Sequence, residues 1–179
     1  NAHVISGEPL DRLFETVGAV IPMGRNAHAP EYAIYPPDLE GAYEARRFGV
    51  GEAMYAALGI ERDNKRGRLA QFMRNFRAFG APVLMLVHTP RYMGPPQWSD
   101  VGMWLQTFML LLREEGLDSC PQEFLSMYAK LIKEFIGVSD ETHIFFCGIA
   151  IGYRDDGNPV NGFSREREPI DGNVRFLGF

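Results

Sequence analysis

Apolar and polar positions along the chain fall into alternating strand-like runs and helical stripes. Ala2–Ile5 reads as a short strand. Behind it, Ser6-Gly7-Glu8-Pro9 opens a helix: Ser6 is the expected N-cap, Pro9 falls in the first turn, and Leu10, Leu13, Phe14 and Val17 recur at helical spacing. Met23–Leu39, with Gly24, Pro30, Pro36 and Pro37 and with Pro22 just before it, is expected to be a surface loop. Ala42–Leu58 follows as a helix, with Tyr43, Arg46, Arg47, Val50, Met54 and Leu58 defining its faces. Within it, Gly49 and Gly51 read as points of close packing, because Met54 stands where a dinucleotide loop needs its third glycine. In Asn64–Ala78, Lys65, Arg66, Arg68, Arg74 and Arg77 alternate with Leu69, Phe72, Met73 and Phe76, predicting an amphipathic helix with a solvated basic face.

The second half is more apolar. Ala81–His88 is unbroken between Gly80 and Pro90, as expected of a strand covered on both faces. Trp98-Ser99-Asp100 is the expected start of the most apolar helix, capped by Ser99 or Asp100 and ended by Gly116. Met103, Trp104, Leu105, Phe108, Met109, Leu111 and Leu112 leave it almost no polar face, so it belongs in a core or a subunit interface. Cys120-Pro121 is expected to open another helix, with Phe124, Tyr128, Leu131, Ile132 and Phe135 on one stripe and Gly137 closing it. Thr142–Tyr153 reads as a long buried strand, Arg154–Glu168 as polar loop, and Val174–Leu177 as a final short strand. The order predicts an α+β fold, helices packed on a small sheet.

Composition narrows the function. The 179 residues carry 18 Lys+Arg and 23 Asp+Glu, a net charge of 18 − 23 = −5, so no global positive field exists for nucleic acid or anionic lipid. With 46% apolar and 23% charged residues the chain is globular, of a size for one domain. The longest apolar stretch, Met103–Leu112, is short for a membrane span and contains Gln106. Two cysteines make no disulfide framework, which points to a reducing, cytoplasmic setting. The chain begins at Asn1-Ala2-His3-Val4-Ile5, as if cut at the entrance to a strand.

Familiar catalytic patterns are absent. His3, His28, His88 and His143 stand singly, and no metal-ligand spacing, nucleophile elbow or phosphate loop occurs, so no metal is expected. Cys120, at the expected helix start, has no neighbouring base and reads as packed rather than catalytic; Cys147 reads as core. Gly116–Glu123 presents backbone N–H groups suited to an electron-rich ligand. Arg165 and Arg167 lie two residues apart in irregular chain, either clamping a phosphate or solvated and offset by Glu166 and Glu168. Trp98 either stacks on a planar ligand or packs beside its helix start.

An ordered set of blocks resembles the FMN-dependent nitroreductase family. It runs through Met93-Gly94-x-x-Gln97-Trp98-x-Asp100-x-Gly102-Met103, then Gln106, then Gly116-Leu117-x-Ser119-Cys120-Pro121-Gln122. It continues with Gly148-x-Ala150-x-Gly152-Tyr153-x-Asp155, Pro159-x-Asn161, Arg165-Glu166-Arg167-x-Pro169-Ile170 and Phe176-x-Gly178-Phe179. The resemblance spans about Tyr35 to the end. It implies a nitroreductase-like fold over residues 1–179 as one domain: a small, mostly antiparallel sheet flanked by helices, in an intertwined homodimer with FMN at the dimer interface.

The resemblance also implies ping-pong electron transfer from NADH or NADPH through FMN to a nitroaromatic or quinone-type acceptor, with the chemistry carried by the flavin and no catalytic triad. By position, Arg165 and Arg167 match the basic pair on the FMN phosphate, and Cys120, Pro121, Gln122 and Glu123 match the segment lying along the isoalloxazine. The acceptor pocket is expected to include Gln97, Trp98, Tyr43 and Phe76. Asp100–Glu115 is similar to the family's central interface helix. The family's first helix and its Arg-x-Ser-x-Arg phosphate motif precede Asn1, so the chain is expected to be the larger part of a longer flavoenzyme. Two other readings stand: a flavin-fragmenting or reductive dehalogenase member of the same fold, and a flavin-binding module without turnover.

Overall fold

The computed structural model describes residues 1–21 and 28–178, so part of the expected Met23–Leu39 loop and the closing Phe179 lie outside the described residues. In chain order the elements are β1 (Ala2–Ser6), α1 (Glu8–Val20), α2 (Gly41–Ala57), α3 (Lys65–Met73), β2 (Val83–Pro90), α4 (Pro95–Glu114), β3 (Asp118–Gln122), α5 (Ala129–Phe135), β4 (His143–Gly152) and α6 (Ile170–Asn173). They fall into two compact units, one of Asn1–Asp38 with Arg66–Arg154, the other of Leu39–Lys65 with Asp155–Phe179.

The first unit is built on a four-stranded sheet of order β1-β2-β4-β3, antiparallel throughout. One face is covered by α1 and α5, which pack Leu10, Leu13, Val17, Ala129 and Ile132 onto Leu84, Leu86 and Phe145. On the other, Leu105 of α4 joins Met85, Val87, Cys147, Ile149 and Ile151, with Phe108 and Leu112 packed alongside. The central strands β2 and β4 are therefore buried on both faces, the reason their sequences are unbroken apolar runs. Each fully buried large side chain contributes about 1.5–3 kcal/mol.

A β-bulge interrupts the pairing of these two strands. Val87 faces Cys147 and His88 faces Phe145, so Phe146 is the extra residue. The bulge changes the phase of β4. Phe145 turns to the α1/α5 face, while Phe146 joins Cys147 on the α4 face.

Two sheet glycines meet close neighbours. A Cβ built on Gly148 lies 2.3 Å from Leu125 Cδ1 and 3.3 Å from Leu84 Cδ1, and both leucines are buried. Gly148→Ala is expected to destabilise the chain by about 1–3 kcal/mol through overpacking, measured by urea denaturation; wild-type stability would show that Leu125 moves aside freely.

Several sequence expectations are corrected. Ser6 is the last residue of β1 rather than a cap; α1 starts after Gly7, whose φ of 57° makes the strand-to-helix turn without a side-chain cap. Helix α4 begins at Pro95, not at Ser99 or Asp100. Proline fits the first helical turn, where an N–H is unsatisfied in any case, and Gln97 Oε1 accepts from Gly94 N at 3.1 Å. Cys120-Pro121 opens no helix. It lies in β3, with Cys120 opposite Ala150 and Pro121 opposite Ile149, and the edge position tolerates the proline.

The basic helix stops at Met73 and continues as a 3-10 segment, Arg74–Gly80, kinked where Ala78 and Phe79 take positive φ values of 45° and 55°. No final strand forms at Val174–Leu177: the short helix α6 precedes it, and Val174, Phe176 and Leu177 stay exposed without a paired neighbour strand.

In the second unit, α2 matches its expected span but has no buried residue. A Cβ at Gly49 or Gly51 would meet nothing within 4 Å, so these glycines mediate no close packing among the described residues.

A buried charge cluster fastens the loop after α1 to the first unit. The Lys133 side chain is fully enclosed and bonds Glu31 Oε1 at 2.7 Å, Asp140 Oδ1 at 2.7 Å and the His143 carbonyl at 2.8 Å. Glu31 also accepts from Phe145 N at 2.9 Å and pairs with Arg91. Burial alone would raise the Glu31 pKa, but these donors outweigh it and hold the carboxyl below its ordinary value. Next to this cluster, His88 is buried and its ring nitrogen faces His3 Nδ1 at 3.2 Å. Burial, followed by nearby positive charge, pushes its pKa down to about 4.

Candidate functional site

The first unit contains an open cavity of about 960 Å³. Its walls come from five places in the chain: Ile21 just after α1, Ile34 and Tyr35 of the loop, Leu69–Phe76 of α3 and the 3-10 segment, Pro121–Tyr128, and Phe146 with Cys147 at the bulge. Leu105 reaches in from α4.

One wall is aromatic. The rings of Phe76 and Phe124 meet edge to face at 4.6 Å, Phe72 and Phe124 at 4.9 Å, and Phe76 and Tyr128 at 5.6 Å. Phe72/Phe76 and Phe124/Tyr128 are pairs four residues apart, the spacing that brings side chains together on one helical face. That spacing could have revealed the wall from sequence, where Phe124 and Tyr128 read only as part of a helix stripe.

Behind the cavity, Tyr32, Trp98 and Phe146 form a second aromatic group, with centroids 5.3–5.7 Å apart. The Tyr32 hydroxyl donates to the Phe146 carbonyl at 2.5 Å, and burial raises its pKa. The Trp98 indole donates to the Met93 carbonyl at 3.3 Å. Trp98 therefore packs beside its helix start, and neither it nor Gln97 is among the residues lining the cavity.

Polar groups at the cavity are few. Gln122 is 3% exposed, and its amide Nε2 donates to the Asn75 carbonyl at 3.1 Å and to Asn75 Oδ1 at 3.2 Å. With both donors turned to Asn75, Gln122 Oε1 is left buried with no hydrogen-bond partner among the described residues. Glu123 lines the cavity, and partial burial raises its carboxyl pKa. Cys147 is buried, and its thiol is pushed up to about 12, so it is held protonated and inert. Cys120 is exposed on β3 and is not among the lining residues.

Of the expected site residues, the first unit thus brings Phe76, Pro121, Gln122 and Glu123 together. Tyr43, Arg165 and Arg167 belong to the second unit. There Tyr43 is exposed on α2, the Arg165 guanidinium lies 4.7 Å from the Phe163 ring centroid, and Arg167 Nη1 donates to the Glu166 carbonyl at 2.9 Å. Glu168, one of two carboxylates that could offset this pair, bonds Arg46 instead. Among the described residues neither Arg165 nor Arg167 has a carboxylate partner.

The Nitroreductase family profile matches residues 23–153. The chain belongs to that family. It is 34% identical to 4-nitrobenzoate reductase of Pseudomonas putida, covering 99% of this chain and 76% of that protein. It is 33% identical to nitroreductase NfnB of Mycolicibacterium smegmatis, over 98% of this chain and 74% of that protein. Among solved structures, the FMN and NADPH-dependent nitroreductase NfnB from sphigopyxis sp. strain HMH superposes with a TM-score of 0.96 at 50% identity, over 100% of this chain and 80% of that one. A BluB-like flavoprotein from Clostridium difficile shares the fold, at 18% identity and a TM-score of 0.56.

The residues present fit the FMN these relatives imply. In the first unit a broad aromatic cavity suits a planar ring system, and Gln122 Oε1 is an acceptor still in need of a donor among the described residues. In the second unit, taken by itself, two guanidinium groups with no carboxylate partner among the described residues suit a phosphate.

Proposed function

We propose that this protein transfers electrons from NADPH or NADH through FMN to nitroaromatic or quinone-type acceptors. It is an FMN-dependent oxidoreductase of the nitroreductase type. The observation that carries the reading is the aromatic cavity floored by Pro121–Phe124, in a chain whose relatives are FMN-dependent nitroreductases. FMN, when bound, supplies hydride acceptance and donation, which no side chain can perform.

The chain's own part is to bind, orient and exclude water. Arg165 and Arg167 would hold the phosphate by charge-assisted forks. The backbone of Cys120, Pro121, Gln122 and Glu123 would border the isoalloxazine. The Phe72–Phe76–Phe124–Tyr128 wall offers flat apolar area to an aromatic acceptor and keeps water from it. We assign Gln97 and Trp98 to the support of this acceptor site: Gln97 fixes the start of α4, and Trp98 supports the wall through Phe146. Tyr43, on α2 of the second unit, offers an exposed ring to an aromatic acceptor.

The functional unit is proposed to be a homodimer. Support comes from α4, where Leu105 alone is buried while Met103, Trp104, Leu110 and Leu111 are 44–63% exposed. Among the described residues no helix is long and apolar enough to cross a membrane. A cytoplasmic location is proposed on the requirement for NAD(P)H.

The test is direct. The purified protein should carry yellow FMN, oxidise NADPH only when a nitroaromatic or quinone is supplied under anaerobic conditions, and give parallel double-reciprocal plots. A flavin-loaded protein that never oxidised NADPH or NADH would instead support a binding module without turnover.

A further inference from the structure

We propose that the cavity selects acceptors without negative charge, and that Glu123 sets this selection. The inference rests on the acceptor-site reading given above and adds a substrate class to it. Of the 17 described residues lining the cavity, Glu123 alone has a side chain with a formal charge. The remainder are apolar, aromatic or neutral polar groups, and among the described lining residues none offers a cation to a carboxylate ligand.

Among the described residues no cation offsets this charge. The ionisable groups that Glu123 acts on are Tyr32 and Cys147, and both are kept neutral by burial. No lysine or arginine among the described residues pairs with Glu123. Its carboxylate is partly removed from water, as the upward shift of its own pKa reflects. A carboxylated ring entering the cavity would meet a like charge across a poorly solvated space and lose its own hydration, with no compensating partner. A neutral nitroaromatic loses nothing comparable and gains the aromatic wall.

This separates the chain from a relative that is 34% identical, which is named for reduction of 4-nitrobenzoate, an anion at neutral pH.

The experiment uses the FMN-loaded enzyme with NADPH and two acceptors of the same skeleton, 4-nitrobenzoate and its methyl ester. Wild type should favour the ester in kcat/KM by about tenfold or more, mostly through KM. Because the two nitro groups differ in intrinsic reducibility, the decisive comparison is across variants, where that difference cancels. Glu123→Gln should shrink the ester-to-carboxylate ratio by about fivefold or more, and Glu123→Lys should invert the preference. Benzoate and benzamide as competing, unreactive ligands give the same comparison without turnover, and benzamide should displace the ester far better until Glu123 is replaced. A ratio unmoved in both Glu123 variants, or wild-type preference for the carboxylate, overturns the inference while leaving the nitroreductase reading intact. Failure to reduce either acceptor removes the nitroreductase reading, and this inference with it.

Discussion

Lys133→Met is expected to lower the stability of the folded chain by about 3–5 kcal/mol, the effect of removing one partner from a buried ion pair. The Lys133 side chain is 0% exposed and Glu31 14% exposed, so water cannot replace the lost ammonium. Methionine fills much of the same volume, which keeps cavity formation from accounting for the loss. What the variant leaves behind is a Glu31 carboxylate held by Arg91 and the Phe145 N–H alone. Pairing Lys133→Met with Glu31→Gln should recover part of the stability, because the carboxylate then no longer needs a cation. Urea denaturation of the two single variants and the double variant reads the coupling; strictly additive effects would show that the pair does not act as a unit.

The same cluster sets an acid limit. The Glu31 pKa is lowered in the folded chain, so its stabilising contribution is complete above the ordinary carboxylate value of 4.5 and is lost as pH falls through the lower, folded value. His88 acts earlier. Its folded pKa of about 4 lies below the ordinary 6.5, so the unfolded chain binds the extra proton first and stability already declines between those values. Acid unfolding of the wild type should begin in the histidine range and steepen in the carboxylate range.

Arg167→Ala is expected to weaken FMN binding by about ten- to a hundredfold, the loss of a charge-assisted hydrogen-bonding partner worth about 1.5–3 kcal/mol. Among the described residues Arg167 is engaged only with the neighbouring Glu166 carbonyl, and Glu168 is taken by Arg46, so the guanidinium keeps donors for a phosphate. Arg165→Ala should have a smaller effect, since its guanidinium is already stacked on Phe163 and bonds the Val160 carbonyl at 3.5 Å. Arg167→Lys preserves the charge but not the fork, and should fall between wild type and alanine. Fluorescence titration with FMN measures all three. Unchanged affinity in both alanine variants would remove the phosphate assignment.

Legibility in the sequence followed locality. β2 and β4 could be read because strands buried on both faces are continuous apolar runs, and α4 because a helix apolar all round has few places to go. β3 was misread because Asp118-Ser119-Cys120-Pro121-Gln122 has neither alternation nor β-branched residues; its strand state comes from pairing with β4, some thirty residues away. Lys133 looked like an ordinary cation on an amphipathic helix, since Glu31 is 102 residues distant and sits in a proline-rich loop. The kink at Ala78 and Phe79 begins before Gly80, on residues whose side chains disfavour positive φ. At the site, the family pattern led to Pro121, Gln122 and Glu123, while the aromatic wall around Phe76 needed the folded arrangement to assemble it. Gln97 shows the reverse: a residue within a family block whose side chain serves the start of its own helix.

The extra residue at Phe146 also determines how the gene can change. Val87 already faces Cys147 and His88 already faces Phe145, so losing the residue between them would close the ladder into regular pairing and leave both flanks of β4 on their present faces. Elsewhere in the strand, at Ile149 for example, losing one residue would exchange inside for outside on one side of the cut. Phe146 is therefore the position in β4 where a deletion should cost only its own ring, packed with Tyr32 and Trp98. A deletion scan through β4 would record tolerance there and collapse at Ile149; collapse at both would show that the extra residue is itself required.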